Sequence, residues 1–281
     1  MRAGLLRAAA LLLSLRLPGH AGLEAPSVRR RLERCAADGV GRGSPVAVCV
    51  RRRRALAGAA AGFAFTPVAR AGDYSASSYD GYASSYDSLD GGGVAKALGL
   101  DAARQALLKR ATGRVLEVGA GTGLSLPFYD ARKVQRLDLL DASPGMLAEA
   151  RVKVDGGACA VGDVRLFQSD AAQTPFAAET FDTAVDTFAL CVYDDAVAVL
   201  RELRRILKPT GELLLLENSR PTNPVAGAYV DFTADMVARN GGKGCKYNQD
   251  VLKLVQDAGF QVKEATPLFG GFFVQIVLSP V

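Results

Sequence analysis

A short apolar stretch at residues 115–118 leads directly into a turn with three glycines, and this feature constrains the fold more than any other. The glycines are Gly119, Gly121 and Gly123, spaced as G-x-G-x-G. Because glycine lacks a Cβ atom, such a turn lets the backbone approach a ligand closely. A buried strand that enters a glycine-rich turn and then a helix is typical of the first unit of a doubly wound α/β sheet. The sequence therefore predicts an α/β fold with a ligand site at this turn.

Strand and helix patterns alternate after residue 94, in the order that a parallel sheet requires. Five short apolar runs are predicted as strands buried on both faces, namely Val115–Val118, Leu137–Leu140, Val164–Phe167, Thr183–Val185 and Leu213–Leu216. Two further strands, Gln261–Thr266 and Phe272–Leu278, are joined too briefly for a helical crossover, so they must pair antiparallel. The prediction is a doubly wound, seven-stranded, mostly parallel Rossmann-like α/β sheet with a C-terminal antiparallel hairpin.

Capping residues indicate where several helices begin. The expected helices are one over 101–110 capped by Asp101, one opened by Ser143 and Pro144, one opened by Asp194 or Asp195, one over 224–239, and one over 249–257 capped by Asn248. Each of them would follow or precede a predicted strand, as the alternating pattern requires.

Acidic residues stand where the ligand of such a sheet binds. Glu117 precedes the first glycine by two residues, and Asp141 ends the second strand. Asp170 and Ala171 follow the third strand. An acid beside the turn would repel a dinucleotide pyrophosphate but suits a ligand with an ammonium and a sulfonium, and Asp141 can accept both ribose hydroxyls. Taken singly, each acid could be a solvated loop residue or a helix cap, but the three in strand order favour a ligand site.

These segments resemble successive motifs of the type 11 family of class I S-adenosylmethionine-dependent methyltransferases, in its UbiE-like branch. The matching segments are 115–123, 140–147, 170–176 with Phe181 and Asp182, and 200–211. The resemblance implies that residues 94–281 form the methyltransferase domain and that S-adenosylmethionine is the cofactor. It also implies these contacts: Glu117, Gly119, Gly121 and Gly123 line the methionine moiety, Asp141 holds the ribose, Met146 packs near the adenine, and Asp170 with Ala171 binds the adenine amino group.

The resemblance implies methyl transfer by in-line displacement, in which the protein mainly aligns the reactants and excludes water. A base is needed only where the acceptor loses a proton. The single histidine, His20, lies in the N-terminal region, so the candidates are Glu217, Tyr79 and Tyr86. Glu217 ends the fifth strand, where substrates of such sheets bind, but a hydrogen-bonded structural role for it stays equally open.

The expected acceptor is small and hydrophobic, such as a quinol-like or phenolic ring. A protein methyltransferase and an inactive S-adenosylmethionine-binding assembly or regulatory factor are the alternatives. Residues 72–281 carry 21 basic and 26 acidic residues, so their charge does not indicate a nucleic-acid groove. Peripheral contact with a membrane is a further expectation, and the oligomeric state stays open.

Residues 1–71 are predicted as a targeting region, with 13 arginines and only three acidic residues. The first 22 residues resemble a secretory signal with a short apolar core. Four arginines at 51–54, the apolar run 55–65 and the sequence Ala-Arg-Ala at 69–71 resemble a twin-arginine export signal. Such signals in series indicate a chloroplast protein, with the thylakoid as its destination, and the alternative is a single mitochondrial or chloroplast transit peptide. The run 55–65 is too short to span a membrane, which takes about 20 apolar residues.

Residues 72–93 are rich in Tyr, Ser, Asp and Gly and nearly repeat Ser-Ser-Tyr-Asp at 77–80 and 84–87. This composition is compatible with a flexible linker. It is equally compatible with an aromatic lid over a pocket, because tyrosine rings at this density bury well. The lid is the interpretation we favour.

The five cysteines show neither a C-x-x-C motif nor a Cys/His spacing typical of zinc ligands, so no metal site is expected. After residue 71 only Cys159, Cys191 and Cys245 remain. We predict them to be core or pocket thiols rather than a disulfide framework. Cys191, together with Asp186, is expected in the wall of the acceptor crevice.

Overall fold

Eight strands form one sheet in the computed structural model, which describes residues 48–51, 79–89, 98–240 and 245–281. The strands are β1 (Val48–Arg51), β2 (Gly113–Val118), β3 (Val134–Asp141), β4 (Asp163–Gln168), β5 (Phe181–Thr187), β6 (Leu207–Asn218), β7 (Phe260–Leu268) and β8 (Phe273–Pro280). Their order across the sheet is β1-β4-β3-β2-β5-β6-β8-β7.

The predicted seven-stranded architecture is confirmed. Strands β4, β3, β2, β5 and β6 run parallel, while β8 pairs antiparallel with both β6 and β7. The eighth strand, β1, adds antiparallel to the outer edge of β4. Strand β1 comes from the predicted targeting region, and the rest of residues 1–71 lies outside the described residues.

The order in which the chain adds strands to the sheet reverses at the boundary between β2 and β5, two neighbouring strands that run parallel. From β2 the chain moves outward through β3 and β4, and it then returns to the other side of β2 as β5. In open α/β sheets, ligands bind at such a switch point, beyond the carboxyl ends of the strands. The glycine-rich turn follows β2 directly, so it lies at this position.

Six α-helices accompany the strands in the described part of the chain. They are α1 (Ala83–Leu89), α2 (Leu100–Leu108), α3 (Pro144–Asp155), α4 (Ala196–Ile206), α5 (Pro224–Asn240) and α6 (Val251–Asp257). None of the helices within these described ranges is both long and apolar enough to cross a bilayer.

Two of the predicted caps are confirmed and two are wrong. The Ser143 side chain accepts from the Met146 N–H, and Asp195 accepts from the Ala198 N–H. Helix α2 instead begins after Gly99, which adopts a left-handed conformation that favours glycine, and the expected cap Asp101 bonds Arg104. Helix α6 is capped by Asp250, because the Asn248 amide is turned toward Asp231.

The sheet is buried on both faces, as the apolar strands require. In β6, Leu213 and Leu215 belong to one buried cluster, whereas Leu214 and Leu216 belong to the other. All four leucines are fully buried. Alternate residues of a strand point to opposite faces, so these two clusters are the two layers of core that hold the helices against the sheet.

Candidate active site

The glycine-rich turn adopts a backbone that side chains would obstruct. Gly119, Gly121 and Gly123 have φ values of +57°, +54° and +80°, in the left-handed region that favours glycine. A Cβ atom on Gly119 would overlap the Ala189 methyl group and lie 2.9 Å from the Tyr193 hydroxyl. The turn therefore packs its backbone directly against the segment that follows β5.

Glu117 lies inside β2 and is almost fully buried, with 1% of its surface exposed. The Tyr129 hydroxyl donates a hydrogen bond to its carboxylate at 2.9 Å. Burial raises the pKa of Glu117 to about 7, against the opposing effects of hydrogen bonds from Ser125 and Tyr129 and of the Arg104 charge. A buried carboxylate of this kind gains from a cationic ligand, because the ligand's charge offsets the cost of ionisation.

Asp141 ends β3 and is bound to the glycine-rich turn. Its carboxylate accepts from the Gly121 N–H at 2.8 Å and from the Ser143 N–H at 2.9 Å. Burial raises the pKa of Asp141, while these backbone hydrogen bonds lower it. A carboxylate has about four acceptor positions, so two backbone bonds leave capacity for ligand hydroxyls.

The remaining predicted cofactor residues follow the next elements along the sheet. Met146 lies in the first turn of α3 and is 2% exposed. Asp170 follows β4, is exposed, and accepts from the Ala172 N–H at 2.8 Å. Ala171 beside it is 5% exposed. These residues and Asp141 all follow the carboxyl ends of β3 and β4, on one edge of the sheet.

A small cavity opens at the switch point. Its lining residues are Tyr86, Arg104, Glu117, Gly119, Ala120, Gly121, Thr122, Leu124, Ser125, Thr187 and Phe188. Sequence reasoning missed Arg104 and Phe188. Phe188 directly follows a strand that ends at this edge, a position that indicates ligand contact, but nothing in the pattern of α2 distinguishes Arg104.

The segment 79–89 is docked against the glycine-rich turn and α3. The Asp80 carboxylate accepts from the Ser143 hydroxyl at 2.6 Å and from the Gly145 N–H at 2.8 Å. The Asp87 carboxylate accepts from the Thr122 hydroxyl and pairs with Lys153, both at 2.5 Å. These contacts bring Tyr86 to the cavity. Tyr79 lies at the start of the segment and is not among the described residues that line it.

Asp186 and Glu217 form a buried carboxyl pair behind the turn. Both side chains are fully buried, and both accept from the Ala189 N–H, at 3.1 and 3.2 Å. Glu217 also accepts from the Leu190 N–H at 3.4 Å. Burial raises the pKa of both acids, and the neighbouring Asp186 raises that of Glu217 further, whereas the hydrogen bond with Glu217 lowers that of Asp186. Among the described residues that line the cavity, neither acid appears.

The prediction that all three C-terminal cysteines are thiols is wrong for two of them. Cys191 and Cys245 form a disulfide with a Cα–Cα distance of 4.8 Å, although they are 54 residues apart in sequence. The Asn218 amide contacts both sulfur atoms, at 3.6 and 3.7 Å. Cysteine spacing cannot reveal such a pairing, because the fold alone brings the two segments together. Cys159 is a buried free thiol, as predicted.

No cluster of three or more potential metal ligands occurs in the part of the chain that the structure describes.

Known proteins are similar to this chain in sequence and in fold. The family model for a methyltransferase domain matches residues 116–215. Phosphatidylethanolamine N-methyltransferase of Cereibacter sphaeroides is 36% identical over 165 residues, which cover 57% of this chain and 77% of that protein. Ubiquinone/menaquinone biosynthesis C-methyltransferase UbiE of Syntrophotalea carbinolica is 35% identical over 169 residues, which cover 58% of this chain and 70% of that protein.

Two further matches are more distant. Methyltransferase OMS1, mitochondrial, of Saccharomyces cerevisiae is 28% identical over 175 residues, which cover 57% of this chain but 37% of that protein. The solved structure of BH2331 from Bacillus halodurans C-125 superposes with a TM-score of 0.52 at 27% identity, and covers 60% of this chain and 72% of that one.

The sheet topology, the glycine-rich turn and these similarities define an enzyme of the Rossmann-like methyltransferase class. The chain belongs to the class I S-adenosylmethionine-dependent methyltransferases, in the UbiE-like branch, and S-adenosylmethionine is its cofactor. The site fits this cofactor: a backbone cradle that a Cβ atom would fill stands beside a buried carboxylate, Glu117, and a second carboxylate, Asp141.

Proposed function

We propose that this enzyme methylates a small hydrophobic acceptor with a quinol-like or phenolic ring. The observation that carries the proposal is a row of aromatic rings leading to the cavity. Phe269 is 45% exposed and meets Phe273 edge to face, with 5.9 Å between ring centroids. Phe273 meets Phe188 in the same way at 5.9 Å, and Phe188 lines the cavity. Such a row offers apolar contacts to an aromatic acceptor all along its entry.

The names of two relatives support an apolar acceptor. One is named for phosphatidylethanolamine and the other for ubiquinone and menaquinone, and all three are hydrophobic molecules. Helix α5 adds a surface feature of the same kind, because Val225, Tyr229 and Phe232 are exposed at helical spacing. We propose that this apolar face of α5 makes peripheral contact with the membrane that holds the acceptor.

The cofactor residues predicted from the sequence have distinct proposed tasks. Glu117 binds the ammonium of the cofactor, and the backbone of Gly119, Gly121 and Gly123 lies along the methionine moiety. Asp141 accepts from the ribose, while Met146, Asp170 and Ala171 surround the adenine. When bound, S-adenosylmethionine supplies an electrophilic methyl group. The residues around it align the acceptor and keep water out.

For an acceptor that must lose a proton, we propose Tyr86 as the first candidate for the base, ahead of Glu217 and Tyr79. Its support is position, because Tyr86 lines the cavity whereas Glu217 is turned toward the Ala189 and Leu190 amides. Replacing Tyr86 with Phe should lower kcat by about 100- to 10,000-fold, the usual contribution of a general base. Glu217→Gln and Tyr79→Phe serve as matched comparisons, and a larger loss in either would move the assignment to that residue.

The acceptor class can be tested by incubating the purified chain with methyl-labelled S-adenosylmethionine and a lipid extract from isolated organelles. We expect label in the lipid fraction, on a molecule with an aromatic ring. Label found only on protein would make the chain a protein methyltransferase. Binding of S-adenosylhomocysteine without any transfer would indicate an inactive binding factor.

We propose that residues 1–71 direct the enzyme to the chloroplast, with the thylakoid as its destination, and that residues 72–93 form a lid. The plastid assignment rests on the arginine-rich composition and the Ala-Arg-Ala site alone. The similarity to a mitochondrial yeast protein favours the alternative, a mitochondrial presequence. Sequencing the mature N-terminus distinguishes them, because cleavage after Ala71 is expected only for the export signal.

A further inference from the structure

Arg104 is a buried arginine whose hydrogen-bonding capacity is incompletely used. It lies in α2 with 7% of its surface exposed. One guanidinium nitrogen, Nη1, donates to Asp101 at 3.2 Å, but the side chain of that acid is 40% exposed. The Nε atom is buried and has no hydrogen-bond partner among the described residues. A buried cation with an unmatched donor is costly, so it indicates a function beyond packing.

The Arg104 side chain lines the cavity together with Glu117. Its guanidinium carbon lies 5.6 Å from the centroid of the Phe188 ring, which forms part of the same wall. Within the described part of the chain no hydrogen bond or ion pair joins Arg104 to Glu117: Arg104 pairs with Asp101, and Glu117 accepts from Tyr129. The two charged groups are still near enough for the Arg104 charge to lower the pKa of Glu117. The cavity thus holds one cationic and one anionic group, and a ligand can address them separately.

We propose that Arg104 binds the α-carboxylate of the amino-acid moiety of S-adenosylmethionine, while Glu117 binds its ammonium. An α-amino acid carries one carboxylate and one ammonium, which match the two charged groups of the cavity. A guanidinium suits a carboxylate because its N–H groups form a planar fork that can donate two parallel hydrogen bonds. The inference rests on the function proposed above and adds a residue that recognises the charged end of the cofactor.

Two ligands that differ at the amino-acid end test this assignment. S-adenosylhomocysteine carries both charges, whereas 5′-methylthioadenosine keeps the adenosine and the sulfur but has neither. Calorimetric titration of Arg104→Met should show affinity for S-adenosylhomocysteine reduced by about 10- to 100-fold, as expected when a buried charge-assisted hydrogen bond is lost. Affinity for 5′-methylthioadenosine should stay within about twofold.

A third ligand isolates the carboxylate. Decarboxylated S-adenosylhomocysteine keeps the ammonium, so the wild-type chain should bind it more weakly than S-adenosylhomocysteine, and Arg104→Met should weaken it no further. Glu117→Gln should lower affinity for this ligand, which reports on the ammonium alone. The Arg104→Lys variant keeps the charge without the planar fork, and its affinity for S-adenosylhomocysteine should lie between those of wild type and Arg104→Met.

Arg110→Ala is the matched control, because Arg110 follows the same helix and pairs at the surface with Glu264 and Glu212. It should leave the affinity for all three ligands unchanged. Equal losses for all three ligands in an Arg104 variant would overturn the proposal and make Arg104 a structural residue. If Arg104→Met does not fold, as judged by thermal unfolding, the same comparison in Arg104→Lys decides. A wild-type chain that binds none of the ligands would instead refute the proposed function.

Discussion

Residues 115–171 are proposed to bind the cofactor and residues 181–281 to hold the acceptor, and they are here called the cofactor half and the acceptor half. The sequence predicted more of the structure of the first than of the second. In the cofactor half, each acid that the sequence singled out lies within two residues of the carboxyl end of a strand, and Asp141 accepts a hydrogen bond from the Gly121 N–H of the glycine-rich turn. In the acceptor half, Glu217 is turned toward backbone amides and Cys191 is joined to Cys245. Residue order along parallel strands therefore predicts which side chains lie close together only where those side chains follow neighbouring strands.

The two halves also differ in how they are held together. Side-chain hydrogen bonds within the cofactor half join residues up to 31 positions apart, and those of Asp141 with Ser143 and Gly121 span 2 and 20 positions. The acceptor half relies on contacts between distant segments, such as the disulfide across 54 residues. We therefore expect perturbations to separate cofactor binding from stability and turnover, and the following experiments test that separation.

The largest effect is expected for Gly119→Ala. The added methyl group would overlap Ala189, and the left-handed backbone conformation of residue 119 is unfavourable for alanine. Affinity for S-adenosylhomocysteine should fall by more than about 100-fold, measured by calorimetry. The affinity of Gly121→Ala should lie between those of wild type and Gly119→Ala. The atom nearest to its new methyl group is 3.9 Å away, so only the backbone strain remains. Gly162→Ala, which meets nothing within 4 Å, is the control, and a loss there would contradict the steric explanation.

The next effect concerns the acceptor half alone. Cys245→Ser removes the disulfide and should lower the free energy of unfolding by about 2–4 kcal/mol, because the unfolded chain loses its cross-link. Affinity for S-adenosylhomocysteine should stay within about twofold, since the cofactor contacts lie elsewhere. Denaturant unfolding and calorimetry measure the two quantities. A reductant should lower wild-type stability to the level of the variant and leave the variant unchanged, and a parallel loss of cofactor affinity would show that the halves are coupled.

An intermediate effect is expected from pH in the cofactor half. Glu117 has its pKa raised to about 7 by burial, so it is mostly protonated at pH 6 and mostly ionised at pH 8. Only the ionised form attracts an ammonium, so affinity for S-adenosylhomocysteine should be about tenfold weaker at pH 6 than at pH 8. The Glu117→Gln variant should bind weakly with a flat profile. A dependence that persists in this variant would belong to another buried acid, such as Asp141.

The raised pKa of Glu117 also predicts how the stability of the ligand-free protein depends on pH. A carboxyl whose pKa is raised by folding holds its proton more tightly in the native state, so its contribution falls as pH rises from about 4.5 to about 7. Glu117→Gln should remove that part of the decline in Tm between pH 5 and pH 7. An unchanged decline would assign it to the Asp186 and Glu217 pair.

The smallest effect is expected at the docked segment 79–89. Asp87→Asn weakens a half-exposed ion pair with Lys153, and such pairs contribute about 1 kcal/mol or less. Affinity for S-adenosylhomocysteine should fall by about two- to fivefold, while amide hydrogen exchange of the segment increases. Asp155→Asn is the control, because it weakens a comparable ion pair with Arg151 on α3, the helix that carries Lys153. A loss larger than that of Gly119→Ala would mean that this segment, rather than the turn, dominates cofactor binding.

Sequence alone predicted the sheet, its hairpin and the placement of Glu117, Asp141 and Asp170 at strand ends. It did so because buried strands have apolar runs, and because parallel strands end on one edge, where the acids follow the glycine-rich turn in strand order. The caps were less predictable. Gly99 rather than Asp101 precedes α2, since a left-handed residue ends the preceding turn there, and the acid is used by Arg104 instead.

From the sequence alone came the fold class and the position of the acids proposed to bind the methyl donor, because both depend on local patterns repeated after each strand. Contacts between segments far apart in sequence became known only from the tertiary structure. It brought Arg104 beside Glu117, Phe188 beside Phe273, and Cys191 beside Cys245. These contacts arise from packing between segments far apart in sequence, and no spacing in a linear chain encodes which distant side chains such packing will join.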